Sequence, residues 1–329
     1  MSAAPGTHLV AVVDCLEPDE PRLARLAASL PTRIARGPAS ADDVVERAQG
    51  ATVLAALYTY TPITEDVIAR LPGLELVATR TAGYSHIAVE AAARRGVGVV
   101  TVPTAPIASV AEYTLGMLMM GRRRLAEAAA STAAGRWEFT GFIGADLAGH
   151  TLGVIGLGSI GRRVAALARA VGMQVLGWSR SDVRPEGVER VDLDELLRRS
   201  DAVSVNVALT PETHRLLDRD RLESMRPGAW LVNTARGEIV DTEALCDLLA
   251  AGHLGGACLD VVEGEPLEAE RARSLAAVPN LIITPHIAWL TQETLERQFS
   301  GMTDAILAFC EGRPVDLVLP PATTSGRTT

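Results

Sequence analysis

The stretch TLGVIGLGSIGRRVAALA (151–168) limits what this chain can fold into more than any other part of it. An apolar run leads into Gly156, Gly158 and Gly161, spaced G-x-G-x-x-G, and these open a segment with apolar residues at Val164, Leu167 and Ala168. Strand, glycine turn and helix is the order in which that spacing carries meaning. One glycine permits the tight turn, one lets the backbone approach a pyrophosphate, and one lets the helix pack closely on the strand. The start of the helix adds amide donors and the positive end of its dipole. The motif predicts a dinucleotide site, with Gly156, Gly158, Ser159, Ile160 and Gly161 around the phosphates.

The pattern continues on both sides. Apolar runs at 151–156, 174–179, 202–207, 229–234, 256–261 and 281–286 read as strands, and 159–170, 192–199, 241–251 and 291–311 read as helices. That series makes a complete doubly wound nucleotide-binding domain. In the first third, runs at 8–14, 51–57, 74–80 and 96–102 read as strands, with amphipathic segments at 41–49 and 64–71 between them. Strands alternating with helices predict parallel sheets covered on both faces. The segment 108–131 reads as the longest helix. Its very apolar first half predicts burial, at a domain junction or against a second subunit.

The predicted fold is α/β, with two doubly wound parallel-sheet domains. A Rossmann-type nucleotide-binding domain (104–289) is inserted into a discontinuous flavodoxin-like substrate domain built from 1–103 and 290–329. The final PPATTSGRTT (320–329) has nothing to bury and is expected to be a mobile tail.

Length and composition bound the function classes. A chain of 329 residues exceeds one ordinary core, and 48% apolar residues exclude a disordered chain. No apolar run approaches the roughly 18–20 residues that span a bilayer, and no charged-then-apolar leader is expected. The chain is therefore expected in the cytoplasm, without a membrane partner. A net charge of −9 argues against nucleic acid as a partner. Cys15, Cys246, Cys258 and Cys310 have neither disulfide nor metal-ligand spacing, so no metal is expected. All 31 basic residues are arginines, which rules out lysine chemistry.

The tip of the second strand bears on the choice of cofactor. For NAD(H) a carboxylate should stand there to hold the adenosine ribose. Here the strand ends in Ser179, Arg180 and Ser181, and the next carboxylate, Asp182, comes late. A hydroxyl and a planar guanidinium suit a 2′-phosphate. NADP(H) is favoured, and NAD(H) remains possible.

LVNTARGEIVD (231–241) holds a guanidinium, Arg236, at the end of an apolar strand. Such a charge is costly there unless something anionic meets it. The surrounding motifs suggest what that is. TAGYSHIAVEAAARRGVGV (81–99), SVAEYTLGML (109–118), DLAGHTLGVIGLGSIG (146–161), LTPETHRLL (209–217), MRPGAWLVNTARGEIVD (225–241), GACLDVVEGEP (256–266) and ITPHIAW (283–289) occur in this order. Together they resemble the D-isomer-specific 2-hydroxyacid dehydrogenase family.

The resemblance implies reversible hydride transfer: NAD(P)H-dependent reduction of a 2-oxo acid to a D-2-hydroxy acid in a cleft between two domains. It implies a catalytic trio. Arg236 would hold the substrate carboxylate and polarise its carbonyl, His286 would be the acid/base, and Glu265 would fix the imidazole tautomer. Imidazole suits both directions because it ordinarily titrates near neutrality. Asp260 would accept from the nicotinamide carboxamide with Thr234 and Ala235 beside it, and Asn206 and Thr213 would lie around the adenine and ribose. Backbone near Tyr84 and Ser85 would bind the substrate, with Tyr60 and Trp289 close to it.

A homodimer through 108–131 is also implied. A dinucleotide-sensing, corepressor-like binding protein of the same family is the alternative. Ser85 and Ala88 stand where the family usually has Asp, and Ala208 where it commonly has Pro. Ala105 replaces a tyrosine of D-lactate dehydrogenases, which argues against plain lactate.

Overall fold

The computed structural model describes residues 8–318; the expected tail at 320–329 lies outside the described residues. The chain divides into two compact α/β units, one from 8–106 with 291–318 and one from 107–290.

In the first unit, β1 (Val10–Cys15), β2 (Thr32–Arg36), β3 (Val53–Ala56), β4 (Leu76–Thr79) and β5 (Gly98–Val100) form a parallel sheet in the order β2-β1-β3-β4-β5. β2 was not among the expected strands. Its sequence, TRIAR, has no buried residue and pairs only with β1 at the sheet edge. A strand that is at most partly covered lacks the apolar run by which the other strands are recognised. Helix Gln292–Cys310 places Phe299, Met302 and Ile306 in one core with Val10, Val12, Ala55 and Ala78, so the end of the described chain completes the unit in which it begins.

The second unit holds β6 (Thr151–Ile155), β7 (Gln174–Trp178), β8 (Glu189–Arg190), β9 (Ala202–Val205), β10 (Trp230–Asn233), β11 (Gly256–Leu259) and β12 (Leu281–Ile283). All pair in parallel, in the order β12-β11-β10-β9-β6-β7-β8. β9, β10 and β11 are buried at every residue, as strands covered on both faces must be. β8 is a two-residue addition at the edge, too short to register as a periodic pattern.

The segment expected as one long helix at 108–131 is two helices, Ile107–Arg122 and Leu125–Ala133, and the longest helix is Gln292–Cys310. Arg124 breaks it with a left-handed φ of 52°. The break lets the two arginines on either side of Arg123 reach different acceptors. Arg122 donates to the Asp146 and Asp201 carbonyls, both at 3.3 Å, and Arg124 donates to Asn280 Oδ1 at 3.2 Å.

The first of these helices lies directly on β10. A Cβ at Gly121 would stand 2.1 Å from the Trp230 ring, closer than any packing permits. Gly121→Ala is expected to cost about 1–3 kcal/mol through overpacking. Denaturant unfolding measures it, and an unchanged midpoint would contradict this packing.

Candidate active site

Because every strand of the second sheet is parallel, the residues after β6, β9, β10, β11 and β12 all emerge at one edge. Gly156 follows β6, Asn206 follows β9, Thr234–Arg236 follow β10, Asp260 follows β11 and Thr284–His286 follow β12. The strand order reverses at the β6–β9 pair, the position where doubly wound sheets open a crevice.

The glycine turn is built by close approach. A Cβ at Gly161 would lie 1.8 Å from the Gly156 carbonyl oxygen, and one at Gly156, where φ is +97°, would lie 2.5 Å from the Asn206 carbonyl oxygen. A Cβ at Gly158, by contrast, would meet nothing within 4 Å among the described residues. Gly158 caps helix Ser159–Ala170, and among the described residues no side chain satisfies the helix's first amides. Amides facing open space over a side-chain-free residue fit a pyrophosphate. Beside the turn, Asn206 Nδ2 donates to the Ser204 carbonyl and hydroxyl, while its Oδ1 is buried without a hydrogen-bond partner among the described residues. An orphaned acceptor there suits a ribose hydroxyl.

Arg236 stands at the mouth of a short 3-10 turn after β10. Asn233 shapes that turn, with its Nδ2 donating to the Arg236 carbonyl at 2.8 Å and its Oδ1 accepting from Ala235 N at 3.0 Å. Gly237 presses this turn against the next loop: a Cβ there would lie 2.1 Å from the Val262 carbonyl carbon and 2.2 Å from Glu263 N. The same loop runs on to Glu265, whose Oε1 is 2.6 Å from His286 Nδ1. Both side chains of that pair are about one-third exposed, at 33% for Glu265 and 34% for His286. His286 itself adopts a left-handed φ of 55°, rare for a residue with a side chain. Its N–H is held by the Asp260 carbonyl at 2.8 Å.

Residues 115–288 match the family model described as D-isomer specific 2-hydroxyacid dehydrogenase, NAD binding domain. The chain is 35% identical over 283 residues to a glycerate dehydrogenase of Methylorubrum extorquens, covering 84% of this chain and 88% of that one. It is 36% identical over 290 residues to a glyoxylate reductase of Korarchaeum cryptofilum, covering 85% and 86%. A crystal structure of a Thermus thermophilus protein superposes with a TM-score of 0.87 at 39% identity, over 94% of this chain and all of that one. The chain belongs to the D-isomer-specific 2-hydroxyacid dehydrogenases.

As a member of that family it is an NAD(P)-dependent oxidoreductase of 2-hydroxy acids, and its glycine turn fits the dinucleotide. The buried carboxylate of Asp260 accepts the Thr284 hydroxyl at 2.6 Å and Ile287 N at 2.9 Å on Oδ1, and Ala288 N at 2.8 Å on Oδ2. It therefore moulds the loop that carries His286. Tyr113 bonds the Thr284 side chain, and burial raises its phenol above the ordinary range, so it stays neutral. Trp289 donates its indole N–H to the His286 carbonyl at 3.0 Å.

The hydroxyls of two further residues are engaged within the protein. Thr213 Oγ1 donates to the Ala208 carbonyl and accepts from Thr210 N, closing the loop 208–213. Thr234 Oγ1 is 2.8 Å from Thr114 Oγ1. Ser179 Oγ is 3.1 Å from Ser181 Oγ, and Arg180 is paired with Glu212 at 3.6 Å in solvent.

Tyr60, Tyr84 and Ser85 belong to the first unit, beyond the C-terminal ends of β3 and β4, and all three are exposed. The buried Asp14 accepts from Leu57 N, Tyr58 N and the Thr61 hydroxyl, which fixes the loop that bears Tyr60. Tyr60 stacks on Tyr58 with centroids 5.0 Å apart.

Asn233, Gly237, Thr284 and Asp14 shape these loops and were missed in the sequence. Their partners are remote in the chain, and the one local signal was a glycine directly after Arg236. Asp260→Ala would leave three donors without an acceptor. It is expected to lower kcat by about tenfold or more, given roughly 1–3 kcal/mol for each buried group left unsatisfied. A kcat near that of the wild type would remove Asp260 from the support of His286.

Proposed function

We propose that the enzyme reduces a short 2-oxo acid to the D-2-hydroxy acid, with NADPH as the favoured cofactor and NADH possible. The observation that carries this reading is the 2.6 Å contact between Glu265 Oε1 and His286 Nδ1, on the same sheet edge as the glycine turn and Arg236. With Nδ1 engaged by a carboxylate, Nε2 is the ring nitrogen left to exchange a proton with substrate. When bound, the reduced nicotinamide supplies the hydride to the carbonyl carbon. Arg236 takes the substrate carboxylate in its planar fork and polarises the carbonyl oxygen. His286 Nε2 donates the proton to that oxygen as negative charge develops on it. Glu265 holds the ring's orientation and stabilises the imidazolium before transfer.

The family relatives named for glyoxylate and glycerate support a short substrate. Tyr60, Tyr84, Ser85 and Trp289 are proposed as its further contacts, with the amides of Tyr84 and Ser85 meeting the carboxylate. Around the adenosine, Gly156, Gly158, Ser159, Ile160 and Gly161 take the phosphates. Asn206, Thr213, Thr234, Ala235 and Asp260 complete the cofactor site through side chains or backbone.

Ser179 and Arg180 would face the 2′-phosphate. Asp182, the carboxylate nearest the end of that strand, is bound by Arg184 at 3.0 Å and Arg190 at 3.2 Å. Its neighbour Arg184 holds its carboxyl below the ordinary carboxylate range, so it stays ionised and matched to cations.

A homodimer is supported by Trp137, Phe139 and Ile143, which are 92%, 87% and 89% exposed within one short stretch. Apolar side chains so gathered and so exposed suit a second copy of the chain. Four free cysteines are compatible with work in the cytoplasm.

The test is to mix the protein with NADPH or NADH and a panel of 2-oxo acids while following nicotinamide absorbance. D-product from at least one short acid is expected, and no turnover with any acid would contradict the reading and favour a binding role. Reduction should slow as pH rises, because the proton-donating imidazolium is lost, and oxidation should slow as pH falls. A chemical step flat with pH in both directions would exclude His286 as the acid/base. Arg236→Lys loses the fork and should cost at least about 2–3 kcal/mol in kcat/KM; a near-normal value would exclude Arg236 from substrate binding.

A further inference from the structure

Arg190 lies on the two-residue edge strand β8 and pairs with Gly177 of β7, the strand whose last residue, Trp178, leads into the adjoining loop. Its guanidinium does not point to solvent. Nη2 donates to the Ser179 carbonyl at 2.8 Å, and Nη1 donates to the Ser181 carbonyl at 2.6 Å, the Val183 carbonyl at 3.3 Å and the Asp182 carboxylate at 3.2 Å. The side chain is only 28% exposed. One cation thus gathers four oxygens from a five-residue loop, 179–183. Such a fork has the donors for this and cannot lose its charge.

These are the oxygens that a phosphate dianion would avoid. Carbonyl dipoles and an ionised carboxylate repel a 2′-phosphate, while they would accept from the two hydroxyls of an unphosphorylated ribose. We infer that Arg190 sets the cofactor preference without touching the cofactor: it turns the acceptors of loop 179–183 onto itself and leaves Ser179, Arg180 and Ser181 to a 2′-phosphate. The inference rests on the proposed preference for NADPH and deepens it. Arg190 is a positioning residue here, and Asp182 is a carboxylate it holds together with Arg184.

The experiment is steady-state kinetics of the full-length enzyme with each cofactor at saturating 2-oxo acid, for the wild type, Arg190→Leu, Asp182→Asn and the double variant. Arg190→Leu should raise KM for NADPH with little change in kcat. The NADPH-to-NADH ratio of kcat/KM should fall by about tenfold or more, the size expected when hydrogen bonds to a charged group are lost. In the double variant, removing the carboxylate that Arg184 then holds alone should restore part of the ratio.

A role in loop stability alone would weaken both cofactors equally and would not be relieved by Asp182→Asn; either result overturns the inference. A wild type that prefers NADPH, with the ratio unchanged in Arg190→Leu, overturns it while leaving the proposed cofactor intact. A wild type that prefers NADH overturns both. If Arg190→Leu fails to fold, Arg190→Lys keeps the charge without the fork, and a smaller fall in the ratio is expected; an unchanged ratio there would overturn the inference.

Discussion

Seven strands that all run the same way place the ends of five of them, and the loops that follow, along a single edge of one sheet. Everything chemical in the second unit hangs on that edge. Parallel pairing demands a crossover after each strand, so each loop begins where its strand stops. Short apolar strands then deliver Gly156, Asn206, Arg236, Asp260 and His286 side by side without any of them having to be near another in sequence. The sheet acts as a ruler, and the loops carry the chemistry.

Close backbone approach converts that rough placement into contact distances. Gly161 lets the helix sit on the Gly156 carbonyl, and Gly237 lets the Arg236 turn lie against Val262–Glu263. The second contact links the turn that carries Arg236 to the loop that ends in Glu265. Asp260 works in the other direction. It holds the 284–288 segment by four backbone or hydroxyl donors, counting the His286 amide on its own carbonyl. A histidine in a left-handed conformation persists only where its surroundings over-determine it, and Asp260 supplies that determination. Rigid support of this kind lets an imidazole and a carboxylate meet at one fixed distance instead of sampling many.

The parts of this arrangement legible in sequence are those with local signatures. The glycine turn was readable because strand, spacing and helix are contiguous, and the buried strands because they are continuous apolar runs. The identities of Arg236, Glu265 and His286 came from motifs in order, through family resemblance, and periodicity alone would have left each of them an ordinary polar residue. What escaped was either one-sided or remote. β2 is an edge strand with two arginines among its five residues, β8 is too short to show a period, and the break at Arg124 depends on acceptors at Asp146, Asp201 and Asn280. Arg190 carries no local signal and Gly237 only its place after Arg236, because the groups they meet lie elsewhere in the chain.

The most direct measurement is a crystal structure of the enzyme with NADPH and oxalate, a dicarboxylate that resembles a 2-oxo acid but cannot be reduced. The pyrophosphate should lie on the amides of the Gly156–Gly161 turn, and oxalate should lie in the fork of Arg236 with an oxygen within hydrogen-bond distance of His286 Nε2. Oxalate bound away from Arg236, or an imidazole separated from both oxalate and Glu265, would contradict it.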